Sequence, residues 1–80
     1  RVDELERMMT AVPGVEAVHH IHVWAISTTE NALTAHVVLT DLPRLEEVKR
    51  ELKIRLDGAG VHHATLEFES IAENCSDLSD

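Results

Sequence analysis

The sequence predicts a small α+β domain with the element order α-β-β-α-β. Three observations carry that expectation. Two separated segments place apolar residues at helical spacing, three others are rich in β-branched residues and alternate apolar with polar side chains, and Pro, Gly or short polar runs divide them. At 80 residues the chain has room for one domain, and a domain of this size buries only about 60 % of its unfolded surface. Disulfides, a metal or a partner subunit usually supply the missing stability. Cys75 is the only cysteine, which excludes an internal disulfide and suits a reducing compartment. The aromatic residues are Trp24 and Phe68 alone, so the core must be aliphatic.

Residues 2–12 carry Val2, Leu5, Met8, Met9 and Val12 at helical spacing, with Asp3 and Glu6 suited to a helix start. Pro13-Gly14 ends this helix. Residues 17–27 read as a strand, with His19, Ile21, Val23 and Ala25 on one parity and Val18, His20, His22, Trp24 and Ile26 on the other. A polar connection over 28–31 leads to a second strand over 32–40. There Leu33, Ala35, Val37 and Leu39 form one face, while Thr34, His36 and Val38 form the other. Two strands so joined are most simply a hairpin.

Asp41-Leu42-Pro43 starts the second helix, with Asp41 as its expected N-cap. Leu45, Val48, Leu52 and Leu56 make its apolar stripe, Glu46/Arg50 and Glu51/Arg55 are favourable i,i+4 pairs, and Gly58 and Gly60 close it. Residues 62–70 form the third strand, with Ala64, Leu66 and Phe68 toward the core. The second helix returns the chain so that this strand lies parallel to the second. The result is a three-stranded mixed sheet with both helices on one face and no cover on the other. Residues 72–80 are acidic and are expected to be a disordered tail.

The net charge of −8 disfavours nucleic acid and anionic lipid as partners. It suits divalent cations. No apolar run is long enough to span a membrane. The chain starts at Arg1 rather than at a methionine and is expected to be a piece of something longer.

The 6 histidines are the chemical signal. They fall at 19/20/22, at 36 and at 62/63, on three neighbouring strands. Neutral imidazole is a good zinc ligand, and Glu or Asp often completes a tetrahedral shell; Glu67 and Glu69 lie on the third strand. The spacing is not that of a compact zinc finger, and histidine also serves as an ordinary half-exposed strand residue. Trp24 reads as core or interface. Cys75 reads as a free thiol in a loose tail, with Glu73 and Asp77 making it a possible extra ligand. No nucleophile elbow, phosphate-binding glycine loop or H-E-x-x-H helix is present, so no enzyme activity is expected.

The segments "VPGVEAVHHIHVWAIS", "LTAHVVL" and "VHHATLEFES", in this order and spacing, resemble the cytoplasmic C-terminal domain of cation diffusion facilitator transporters. More narrowly they are similar to the zinc-exporting branch with the pattern His-Asp-Leu-His-Val-Trp. The resemblance runs from about residue 2 to residue 71 and implies a ferredoxin-like, metallochaperone-like fold. It implies a cytosolic homodimerisation domain over residues 1–71 on the cytoplasmic side of a membrane. That domain would be attached to the transmembrane domain of the same full-length protein, a divalent cation/proton antiporter. It would bind Zn2+, or Cd2+, Co2+ or Ni2+, and regulate export. The ligands implied are His19, His36, His62 and Glu69, with His20, His22, His63 and Cys75 as possible extra ones. Two departures stand out: His20 replaces the family's usual Asp, and Cys75 lacks a paired cysteine.

Strand geometry sets a condition on this ligand set. A hairpin centred near residues 29–30 puts His36 opposite Val23 or His22 and leaves His19 about 10–13 Å away. A bulge, a late strand start or ligands from two chains would resolve this, and His22 is the alternative ligand. A metal-independent dimerisation module and a stand-alone metal carrier remain the other readings, although a carrier would normally offer soft cysteine ligands on a loop.

Overall fold

The structure is a computed structural model and describes residues 2–70. The order is α1 (Val2–Thr10), β1 (Val15–Ala25), β2 (Asn31–Leu39), a 3-10 turn (Leu42–Arg44), α2 (Leu45–Gly58) and β3 (Val61–Ser70). The three strands form one sheet in the order β1-β2-β3. β1 runs antiparallel to β2, and β3 runs parallel to it.

The core lies on one sheet face. Leu33, Ala35, Val37 and Leu39 of β2 are all buried, together with Leu5, Met9 and Val12 from the α1 segment and Val48, Leu52 and Leu56 from α2. Both helices therefore pack on the same side. Ala64, Leu66 and Phe68 pack against this cluster from β3. Among the described residues no element covers the sheet's other face. Trp24 is half exposed there and Ile26 is exposed, which removes Trp24 from the core and leaves interface as its open role.

Element ends differ from the sequence reading at specific points. β1 begins two residues earlier than expected and ends at Ala25, where Ile26 N donates to Glu30 O at 2.9 Å and closes the hairpin loop. The residue at Asp41 is extended and makes no side-chain capping bond; its carboxylate instead accepts from Thr40 Oγ1 at 3.1 Å. Pro43 then sits in the 3-10 turn, and the α-helix proper starts at Leu45. Of the two expected helix ion pairs, Glu51/Arg55 forms at 2.9 Å. Gly14 has φ of +101° and its carbonyl accepts from Thr40 N at 3.0 Å, which ties the α1–β1 turn to the end of β2. The expected acidic tail lies outside the described residues.

Candidate metal centre

β1 does not alternate cleanly. His19 lies opposite His36, and the next paired position is His22 opposite Thr34. His20 and Ile21 together oppose Ala35, so β1 carries a bulge. His20 takes the left-handed conformation, φ 57°, as the one non-glycine residue with positive φ among those described. This conformation costs a non-glycine residue roughly 1–2 kcal/mol. The bulge resets the strand's faces: Val18, Ile21 and Val23 all meet the core. Simple alternation grouped His19 with Ile21 and Val23. The extra residue separates them and brings His19 directly across from His36.

His36 stands in the middle of β2 with neighbours on both sides. Its Nδ1 is 3.1 Å from Glu69 Oε2 and its Nε2 is 3.1 Å from Glu67 Oε1. Glu67 is its register partner on β3. The Glu69 side chain is 19 % exposed and that of Glu67 is 71 % exposed. Both contacts are hydrogen bonds only when the ring holds two protons, because a neutral imidazole donates from one nitrogen and offers a lone pair from the other. That lone pair is what a metal takes. The second nitrogen then donates to a carboxylate, an arrangement that fixes the ring.

The rings of His19 and His20 complete the cluster. Their centroids lie 6.1 Å and 5.0 Å from that of His36, and 5.4 Å from each other. With zinc bonds of about 2.0–2.1 Å, two ligand atoms in a tetrahedral shell stand about 3.3 Å apart and two imidazole centroids about 5 Å apart. The Nδ1–Oε2 separation and the ring spacings are close to these values. The donor types thus suit a zinc-like ion, and the pairwise separations are near those of one shell. Among the described residues no set of three His, Cys, Asp or Glu side chains is already converged on one point, so seating an ion requires the rings to turn.

His62 lies apart from this cluster in the structure. The β2–β3 register shifts between Asn31/Ala32, opposite Val61/His63, so His62 falls at an irregularity. Its Nδ1 pairs with Asp57 Oδ1 of α2, on the helix side of the sheet. Glu67 lies five positions along β3, about 16 Å away at strand rise. His62 borders a groove of about 510 Å³ that Lys49, Arg50 and Lys53 line together with Glu46 and Asp57. His63 Nε2 lies 3.2 Å from Glu30 Oε1 near the hairpin loop, about 13 Å along the strands from His36. His22 pairs with Thr34 and not with His36. Cys75 lies outside the described residues. Glu67 is the residue that ligand matching passed over; its parity with Glu69 was the available signal.

Comparison with known proteins agrees with this architecture. A family model described as "Cation efflux protein, cytoplasmic domain" matches residues 1–71. The metal cation efflux system protein CzcD of Cupriavidus metallidurans is 40 % identical over 68 residues, covering 82 % of this chain and 22 % of that protein. The cadmium, cobalt and zinc/H(+)-K(+) antiporter of Bacillus subtilis is 29 % identical over 76 residues, covering 91 % of this chain and 24 % of that protein. The chain thus spans about a quarter of the length of these relatives. Among solved structures, the metal-bound C-terminal domain of the Cupriavidus CzcD transporter superposes with a TM-score of 0.75 at 38 % identity, covering 85 % of this chain and 96 % of that one.

Proposed function

This chain belongs to the family of cation efflux protein cytoplasmic domains, and from that premise we propose that it is the regulatory domain of a divalent cation/proton antiporter. In this reading it binds zinc, or a related ion such as cadmium, cobalt or nickel, and pairs with a second copy to control export by the transmembrane part. The family is one of transporter domains and not of catalysts. The observation that supports the reading most is His36, whose two nitrogens lie 3.1 Å from carboxylates on β3 while His19 faces it from β1. His19, His36 and Glu69 would bind the ion, and Glu67 would orient His36. An ion held this way also stabilises a small domain, because the unfolded chain has no such site.

The uncovered sheet face supports homodimerisation: Trp24 on β1 is 49 % exposed and Ile26, just beyond the strand, is 52 % exposed. The same observation favours the second reading, a dimerisation module that needs no metal. Zinc titration calorimetry and sedimentation on the chain and on His36→Ala separate the two. The regulatory reading expects saturable binding near neutral pH, lost at least tenfold in His36→Ala, and a zinc-dependent decrease in the scattering radius of the dimer. A dimer with no saturable zinc binding supports the module instead, and a monomer at micromolar concentration counts against both.

A further inference from the structure

Neighbouring residues on a regular strand point to opposite faces. His19 and His20 break that rule, since both rings lie within 6.1 Å of the ring of His36. They do so because of the bulge, and the bulge depends on a left-handed residue. Glycine, asparagine or aspartate would occupy that conformation with less strain. The chain places a histidine there. Strained residues of this kind cluster at functional sites, and histidine is among the non-glycine residues enriched in this conformation.

We infer that His20 is itself a metal ligand, delivered by the left-handed bulge, and that it makes the centre selective for cations that favour imidazole. The inference rests on the metal-binding reading above and assigns it a donor that register alone does not bring to His36. The shell becomes His19, His20, His36 and Glu69, with three nitrogens and one carboxylate oxygen. The three ring centroids already form a triangle with sides of 5.0, 5.4 and 6.1 Å, near the spacing of about 5 Å that one tetrahedral ion imposes. An imidazole-rich shell suits Zn2+, Ni2+, Co2+ and Cu2+, whereas carboxylate donors suit Mn2+ and Mg2+. A carboxylate at position 20 would give a two-imidazole, two-carboxylate shell and shift the balance toward Mn2+.

The test uses the chain with His20→Gly, His20→Asn and His20→Asp, and His36→Ala as control. Zn2+ and Mn2+ affinities are measured by competition with a chromophoric chelator. Melting is followed in excess chelator, and Co2+ absorption reports the geometry and donor strength of the shell. We expect His20→Gly and His20→Asn to melt no lower than the parent in chelator, because both accept the left-handed backbone. We expect them to bind Zn2+ at least tenfold more weakly and to change the Co2+ ligand-field bands. His20→Asp should lower the Zn2+/Mn2+ affinity ratio about tenfold. If His20→Gly and His20→Asn bind Zn2+ like the parent while His36→Ala does not, His20 is no ligand and the inference fails, yet the centre stands. Variants that melt lower in chelator and leave the Co2+ bands unchanged would mark His20 as a folding residue and overturn it equally. A parent chain that binds neither ion fails the functional reading itself.

Discussion

Glu67→Gln and Glu69→Gln should weaken zinc binding to different degrees, and the difference follows from their places around His36. The Glu67 carboxylate meets Nε2 at 3.1 Å and is 71 % exposed. As the group that accepts the second ring proton, it acts at one remove from the ion. Losing such a partner costs about 10–100-fold in affinity. Exposure and the carbonyl oxygen that Gln retains put the loss at the lower end, about tenfold or ~1.4 kcal/mol. Glu69 is 19 % exposed, with Oε2 at 3.1 Å from Nδ1, close to the edge of a tetrahedral shell. Replacing its charged oxygen with a neutral amide oxygen weakens a donor that touches the ion itself, so the loss should exceed that of Glu67→Gln and reach about a hundredfold, or ~2.7 kcal/mol. Zinc competition with a chromophoric chelator at pH 7.5 measures both, and melting in excess chelator checks that the fold is intact. Equal losses, or a larger loss for Glu67→Gln, would refute the assignment of inner and outer roles.

Gly14→Ala should destabilise the fold by about 1–3 kcal/mol in urea denaturation, since φ is +101° and an added Cβ would lie 2.7 Å from Val48 Cγ2. Leu52→Ala should cost about 2–5 kcal/mol and leave much of the chain unfolded, because Leu52 is fully buried in the core; circular dichroism melting reads this. Zinc affinity should fall steadily from about pH 7.5 to about pH 5.5, as protons displace metal from imidazole. A flat titration over that range would remove histidine from the shell.

Periodicity made most of the fold legible. β2 reads directly, because Leu33, Ala35, Val37 and Leu39 alternate without interruption and every one is buried. The α2 stripe is equally plain: Val48, Leu52 and Leu56 are buried. The entry to α2 was not, because Asp41 carries the residue type of a helix cap while Pro43 leads into a 3-10 turn first. β1 misled for a different reason. Alternation assumes one residue per position, and nothing in His19-His20-Ile21 announces an extra one. Only the backbone shows that His20 is left-handed. That single event explains how His19 comes to face His36 against the distance expected from a regular hairpin. His62 shows the converse limit. Its likeness to a ligand position says nothing of the register shift at the start of β3, which turns it toward Asp57.

The location of the cluster follows from sheet geometry. On β2 the helix-facing parity is Leu33, Ala35, Val37 and Leu39, while His36 stands on the opposite parity with Thr34, so core and donor do not compete for the same face. β2 is also the strand with a neighbour on each side, and a donor at its centre can be met from both. His36 occupies that position, with His19 across one pairing and Glu67 across the other. An ion shared by His19, His36 and Glu69 would therefore exist only while both pairings keep register. Each tenfold excess of zinc over its Kd would add about 1.4 kcal/mol to the folded state. For a domain of this size, whose stability is of the order of 4–12 kcal/mol, that increment is a large fraction of the whole. Occupancy and rigidity of the sheet are then one equilibrium. The uncovered face that carries the cluster also exposes Trp24 and Ile26, so a second chain docking there would meet a surface whose order depends on the ion.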